Sequence, residues 1–315
     1  LAVGIRHLRR SGKKGKKASS LSRERLPTVS IVVPVRDEER VVGRLLKALL
    51  SLDYPPEKRE IVIVEDGSMD KTAEICRKYA GQCPDQIKLI HQSTSNGKPS
   101  ALNYALKHLV GEIVAVFDAD SVPEPDVLMR AAEYFEDGSI AAVQGRTCSI
   151  NADENMLTKF VSYEEAVRYE TYLRGKDVLE LFVPITGSCY FIRRSVLEEV
   201  GGWGDEFLSE DTELSAKLVE RRYVVKYVPD VVSWQENPAS LGQLFSQRTR
   251  WFRGCMEVGL KYGRLVRKLD RRSIDAEVTL AGPYMLALCF MGYLAALNSV
   301  LVPIQLDPLF TMMTQ

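Results

Sequence analysis

Apolar positions along this chain switch repeatedly between two periods. Residues 29–35, VSIVVPV, are a short β-branched run closed by a turn signal, which predicts a buried strand. In the RDEERVVGRLLKALLSL that follows, Val41, Val42, Leu45, Leu46, Leu49 and Leu50 recur at helical spacing, so a helix with one apolar face comes next. The strand signal returns at 61–64 (IVIV), and DGSMDKTAEICRKYA turns into a second helix. A weak strand over 88–91, a helix over 99–109 and a strong strand over 113–117 complete the series. Alternation of this length predicts an α/β domain with a mostly parallel central sheet covered on both faces. Ligands of such sheets bind beyond the carboxyl ends of the strands. The second half is less regular. It predicts a long helix over 156–173, a strand over 188–192, helices over 195–200 and 211–220, and a strand over 224–228. A last helix carries SQRTRWFRG, residues 246–254, and no internal repeat is visible.

Two stretches change that picture. Residues 278–306 contain no charge, which exceeds the roughly 20 apolar residues needed to cross a bilayer. Pro283 and Pro303 fall near the ends of the run. A transmembrane segment is expected there. Just upstream, KYGRLVRKLDRRS sets Lys261, Arg264, Arg267, Lys268, Arg271 and Arg272 among Leu and Val, the pattern of an amphipathic segment on an anionic leaflet. A second basic run holds Arg6, Arg9, Arg10, Lys13, Lys14, Lys16 and Lys17, and residues 11–22 read as a flexible linker. Basic residues on both flanks place the region between them in the cytoplasm. The first residue is Leu1 rather than Met, as expected of a fragment or processed product. The expected organisation is a basic juxtamembrane and linker segment at 1–26, a globular domain at 27–256, an amphipathic interface segment at 257–275 and a transmembrane segment at 276–315.

The 42 Lys and Arg balance 42 Asp and Glu, and zero net charge argues against bulk nucleic-acid binding. Six cysteines lie scattered without a C-x-x-C pair, so reduced cytosolic thiols are expected rather than zinc ligands or disulfides.

Acidic residues gather where strands are predicted to end. Asp118 and Asp120 leave the apolar run IVAVF as a D-x-D, and two hard oxygen ligands there suit Mg²⁺ or Mn²⁺ bridging a diphosphate. The same pair also fits a capped strand-end turn. Asp66, before Gly67, could accept hydrogen bonds from a nucleotide's base or ribose, or cap the next helix. Lys98 opens a helix after a Gly turn, which makes either an anion site or a solvated loop lysine. Glu210 and Asp211 start another helix, as favourable N-terminal charges or, facing the crevice, as a general base. In SQRTRWFRG an arginine fork suits phosphate or carboxylate and a tryptophan face suits a sugar ring, although a basic interfacial helix with a Trp anchor has the same composition.

Taken in order, VVPVRDEE, VEDGS, GKPSALN, DAD, TGSCYFIRR, SEDTELS and QRTRW resemble glycosyltransferase family 2 over residues 29–251. More narrowly, they are similar to its membrane-embedded branch of cellulose, chitin and hyaluronan synthases. Each motif is weak alone, seven in this order are specific, and Q-x-x-R-W discriminates best. The resemblance implies a GT-A-like nucleotide-sugar-binding catalytic domain and an inverting, metal-dependent transfer. By that resemblance Asp66 contacts the nucleoside, with Asp37 or Glu38 nearby, and Lys98 lies along the donor. Asp118 and Asp120 hold the donor and its Mn²⁺ or Mg²⁺. Asp211 is the general base. Gln247, Arg250 and Trp251 close over the diphosphate and line the acceptor end, Arg250 toward diphosphate and Trp251 toward sugar. Gly187, Ser188 and Glu210 fall on the acceptor side, while Arg248 and Arg253 are left to face lipid headgroups. Glu65 departs from the family, which often has a second Asp there. A single clear span also departs from the several that processive synthases use. The implied partners are a nucleotide-sugar donor, a glycan or lipid-linked acceptor and a lipid bilayer. The donor sugar, linkage and oligomeric state are not legible.

Overall fold

The structure, a computed structural model, describes residues 23–92, 96–263 and 270–301. The N-terminal basic run, the linker and Arg264, Arg267 and Lys268 lie outside the described residues. Strand β1 (Val29–Val35) leads into helix α1 (Val42–Leu50), β2 (Arg59–Glu65), α2 (Thr72–Gln82), β3 (Ile87–His91), α3 (Lys98–Leu106) and β4 (Ile113–Val116). These four strands pair in parallel in the order β3-β2-β1-β4. Val29 sits beside both Arg59 and Ile113, so the carboxyl ends of β1, β2 and β4 reach one edge of the sheet together. Successive side chains of a strand point to opposite faces, and β1 divides accordingly. Ile31 and Val33 pack with Leu45, Leu46 and Leu49 of α1, while Val32 packs with Ala101, Leu102 and Ala105 of α3.

Beyond β4 the sheet becomes mixed. The short β5 (Val122–Pro123) precedes α4 (Val127–Ala132) and β6 (Ile140–Ser149). Strand β6 carries no strand signal in its residues, because Gln144 and Gly145 interrupt the apolar run. Gln144 is nonetheless fully buried, for reasons the site makes plain. The predicted long helix is α5 (Met156–Val167), a π-helical stretch (Arg168–Leu173) and α6 (Arg174–Val178) in succession. Asn155 caps it, accepting hydrogen bonds from the amides of Leu157 and Thr158 at 2.9 and 3.0 Å. Then come β7 (Tyr190–Arg193), α7 (Arg194–Glu199), α8 (Glu210–Glu220) and β8 (Val224–Gln235). Strand β8 runs well past the predicted 224–228, because it pairs in parallel with β6 across two register shifts. The complete order is β3-β2-β1-β4-β7-β6-β8-β5, with β7 antiparallel to both neighbours.

Two long helices close the described chain, α9 (Leu241–Tyr262) and α10 (Arg271–Leu301). Residues 257–262, expected in an interfacial segment, continue α9 without a break. The start of α10 is docked on the domain. Ala276 and Leu280 pack with Phe182, Phe207, Ala216, Val219 and Val258. Asp275 accepts hydrogen bonds from Lys176 Nζ at 2.6 Å and from the Phe182 amide at 3.1 Å. Pro283, near the start of the uncharged run, lies inside α10 because the helix begins seven residues before that run. Over 271–299, α10 is long and apolar enough to cross a membrane, and Met285, Leu288, Phe290 and Tyr293 are all exposed.

Candidate active site

The site forms where the parallel strands end. The loop after β1 and the loop after β2 are latched together. Asp37, held at φ 55°, accepts from the Met69 amide at 2.7 Å, and its own amide donates to Ser68 Oγ at 3.2 Å. The amide of Glu38 donates to Thr72 Oγ1 at 2.7 Å. Gly67 takes a left-handed φ of 69° that an L side chain rarely adopts. Asp66 is buried at the end of β2, and its amide donates to the Val35 carbonyl at 3.0 Å. Beside it, Glu65 accepts from the Ser68 amide at 2.6 Å and pairs with His91 Nδ1 at 2.5 Å.

Lys98 is the hub. Its ammonium lies 2.8 Å from Asp118 Oδ1, 2.8 Å from Glu210 Oε1 and 3.0 Å from the carbonyl of Gly187. Burial opposes its charge, but Asp118 and Glu210 outweigh that and hold its pKa well above the ordinary lysine range. Asp211 stands next to this cluster. Burial pushes its carboxyl up to about 6, with repulsion from Glu210 adding to the rise and Lys98 opposing it. Gly187 lets the groups meet. Its φ is 80°, and a Cβ there would sit 3.3 Å from Asp211 Oδ2.

The Gly187 turn is fixed from beneath. Gln144 accepts from the Thr186 amide at 2.8 Å and donates to the Ser188 carbonyl at 3.1 Å, which is why a glutamine is tolerated inside β6. Tyr169, presented by the π-helical stretch, shares a hydrogen bond with Thr186 Oγ1 at 3.0 Å. Ser188 is buried. Its hydroxyl accepts from the Asp118 amide and pairs with Ser121 Oγ, both at 3.1 Å. The Ser188 side chain thus supports the D-x-D turn, and Glu210 is engaged with Lys98.

Asp120 and Glu38 face the same acidic corner. Burial raises Asp120 to about 6, with Asp118 adding to it, and burial raises Glu38 to about 7, with Asp120 and Asp118 adding to it. Carboxylates crowded this way fit a divalent cation. Among the described residues no three His, Cys, Asp or Glu side chains form a ready-made metal cage. Asp118 and Asp120 would therefore share the ion with oxygens of a bound ligand, as Mg²⁺ sites commonly do. Arg44, which sequence reading missed, steadies this corner by donating to the Asp120 carbonyl at 3.3 Å and pairing with Glu236 at 2.9 Å. It sits on α1, whose only evident signal was its apolar face.

Helix α9 brings the Q-x-x-R-W residues. Trp251 is half-buried, and one indole face is covered by the Arg248 guanidinium at 4.5 Å. Arg248 also pairs with Glu164 at 2.7 Å and Arg253 with Glu257 at 2.9 Å. Gln247 is half-buried and Arg250 exposed, and neither has a hydrogen-bond or ion-pair partner among the described residues. A second missed residue, Gly254, sets the approach of α9. A Cβ there would lie 2.8 Å from Ser209 Cβ and 2.9 Å from Ser209 N, immediately before Glu210 and Asp211. Thr212 Oγ1 and Cys255 Sγ, 3.7 Å apart, add a second contact between α9 and α8.

A mixed sheet with a parallel half, its strand-end acids gathered around one lysine, defines a GT-A-like protein. Residues 27–254 match the family described as "Glycosyltransferase like family 2", and the chain belongs to it. It is 33% identical over 77% of its length to a beta-monoglucosyldiacylglycerol synthase of Nostoc sp., covering 52% of that protein. It is 31% identical over 74% of its length to a poly-beta-1,6-N-acetyl-D-glucosamine synthase of Staphylococcus epidermidis, covering 56% of that protein. The chain spans 50% to 60% of the length of the curated relatives it matches. Among solved structures, the mannosyltransferase PcManGT from Pyrobaculum calidifontis, in complex with GDP-Man and Mn²⁺, has a TM-score of 0.63 at 22% identity over 99% of this chain and 91% of its own. Staphylococcus aureus TarS in complex with UDP-GlcNAc has a TM-score of 0.56 at 18% identity over 75% of this chain and 66% of its own. These two likenesses establish the fold.

Proposed function

We propose that this chain moves a sugar from a nucleotide-diphosphate sugar, in the first instance a UDP-sugar, to a hydroxyl of a growing polysaccharide at the cytoplasmic face of a membrane. The observation that carries this reading is the gathering of Asp118, Glu210 and the Gly187 turn around Lys98, with Asp211 alongside. Asp211 takes the proton of the acceptor hydroxyl as its oxygen attacks the anomeric carbon. The bond from that carbon to the diphosphate oxygen breaks from the opposite side, and the nucleoside diphosphate leaves with the electron pair, inverting the centre. Lys98 and Arg250 offset the charge that grows on the leaving group. Asp118 and Asp120 would hold Mn²⁺ or Mg²⁺, which supplies Lewis-acid stabilisation of the diphosphate when bound. Asp66, with Asp37 and Glu38 on the latched loops, lies at the nucleoside end, and Gln247 and Trp251 lie at the acceptor end. The catalytic region spans 27–256, and α10 anchors it in the bilayer.

A second reading, transfer of a single sugar to a lipid or lipid-linked acceptor, is favoured by the diacylglycerol-glucosylating relatives. Membranes carrying the protein, given a panel of UDP- and GDP-sugars with Mn²⁺ or Mg²⁺, test both readings through released nucleotide and product size. A ladder of products supports extension, and one added sugar on a lipid supports the second reading. Unchanged transfer by Asp211→Asn would remove the assigned base, and no turnover of any donor would overturn the function.

A further inference from the structure

Between α6 and β7 the chain crosses the interior as a strap. Residues 181–186 form neither helix nor strand, yet Phe182, Val183 and Ile185 are all buried. A buried backbone amide has to find an acceptor, and with no sheet ladder to supply one, side chains of three other elements do so. Asp275 of α10 accepts from the Phe182 amide at 3.1 Å, Ser215 of α8 from the Ile185 amide at 2.8 Å and Gln144 of β6 from the Thr186 amide at 2.8 Å. The strap held this way leads to Gly187, whose carbonyl accepts from Lys98 at 3.0 Å.

Ser215 differs from the other two acceptors in what its second bond reaches. It is fully buried, and its hydroxyl donates to the Asp211 carbonyl at 2.7 Å while accepting from Ile185. One oxygen atom therefore joins the backbone of Asp211 to the strap two residues ahead of Gly187. The same two segments meet in the site, where a Cβ on Gly187 would lie 3.3 Å from Asp211 Oδ2. A serine that bonds back along its own helix is common. The bond to an amide 30 residues away is not a local matter. Its neighbours Leu214, Ala216 and Leu218 are apolar and fully buried, so packing alone would be met by alanine.

We propose that Ser215 is a positioning residue for sugar transfer, its hydroxyl setting the gap between Asp211 and the Gly187 turn in which the acceptor hydroxyl is received. The role rests on the proposed function, in which Asp211 is the base. Without the hydroxyl the Ile185 amide is left buried and unpaired, a costly state that the strap relieves by drawing away from α8. Gln144 still holds Thr186 and Ser188, and Ser188 still holds the Asp118 amide, so the donor end keeps its support. The change falls on the spacing between base and acceptor, which slows transfer and spares donor binding.

Ser215→Ala, Ser215→Thr and Ser233→Ala, each made in the whole chain and compared with the parent in membranes, provide the test. Ser233 is fully buried on β8 and its hydroxyl has no hydrogen-bond partner among the described residues, so it controls for the loss of a buried hydroxyl as such. Threonine keeps a hydroxyl that can make the same bond to the carbonyl four residues back. Nucleotide release gives kcat, titration with the released nucleoside diphosphate and Mn²⁺ gives donor-site affinity, and hydrogen exchange reads the peptide 183–189. Ser215→Ala is expected to lower kcat about tenfold or more, with donor-site affinity within about twofold of the parent and faster exchange in the strap. Ser215→Thr should recover most of the rate, and Ser233→Ala should match the parent. A kcat for Ser215→Ala equal to that of Ser233→Ala overturns the role, even where the strap exchanges faster, because the tie is then structural only. Weakened donor affinity at unchanged kcat, or Ser215→Thr as slow as Ser215→Ala, overturns it as well. A parent that turns over no donor overturns the proposed function and this role with it.

Discussion

Gly254 offers a direct test of how the Q-x-x-R-W helix meets the acidic helix. Gly254→Ala places a methyl 2.8 Å from Ser209 Cβ and 2.9 Å from the Ser209 nitrogen. Carbon pairs rest at about 3.5–4.0 Å, so α9 and the Ser209 turn must separate by roughly 0.7–1.2 Å. The Ser209 hydroxyl can rotate away, but its Cβ and amide cannot. Glu210 and Asp211 follow that turn, and Arg250 and Trp251 ride on α9, so the displacement acts directly on the distance between the proposed base and the proposed leaving-group elements. A misplacement of ~1 Å costs on the order of 10²-fold in rate, and overpacking costs about 1–3 kcal/mol in stability. The matched control lies on the same helix. A Cβ at Gly242 meets nothing within 4 Å, so Gly242→Ala should leave activity unchanged and gain about 0.5–1 kcal/mol from reduced backbone freedom. Nucleotide release and thermal melting of the two variants, side by side with the parent, form the assay. If Gly254→Ala turns over and melts like Gly242→Ala, the close approach of α9 to Ser209 is wrong.

Four further outcomes are expected. Because burial and Glu210 raise Asp211 to about 6 and the base acts ionised, kcat/KM should fall as pH drops through about 6, and a profile flat from pH 5 to 8 refutes that role. Lys98→Met strands Asp118 and Glu210 without their shared cation. The loss should be about 1–3 kcal/mol, below the roughly 3–5 of a fully buried pair because Lys98 and Asp118 retain some water, with weaker donor binding by titration. Arg44→Ala frees the Asp120 carbonyl and Glu236, and should raise the Mn²⁺ concentration needed for half-maximal activity with little change at saturation. Chelation should abolish transfer, reversibly with Mn²⁺ or Mg²⁺, and leave the circular dichroism spectrum unchanged, since no metal cage holds the described fold together.

The first half of the domain was legible because its signals are local. The β-branched runs at β1 and β2 and the one-sided apolar spacing of α1 depend only on neighbours along the chain. The uncharged run from 278 onward was equally plain, since span length is a matter of composition. The acids at the ends of β2 and β4 could be placed from strand position alone. What escaped was whatever depends on a partner far along the chain. Strand β6 hides behind Gln144, whose burial is tolerable only because the Thr186–Ser188 turn supplies its hydrogen bonds. That the Ser188 hydroxyl holds the D-x-D turn was equally invisible, because its partner, the Asp118 amide, lies 70 residues away. Lys98, read alone, could as well have been a solvated loop residue.

By itself, the sequence determined the parallel half-sheet, the inventory of acids and the long apolar helix, because each follows from periodicity or composition over a short window. It took the folded chain to show that Lys98 stands between Asp118 and Glu210, that Gly187 is a glycine for its left-handed backbone and Gly254 for want of space, and that α10 is docked before it becomes exposed. The reason is physical. Burial, ion pairing and close approach are properties of segments brought together across the chain, and no single segment carries them.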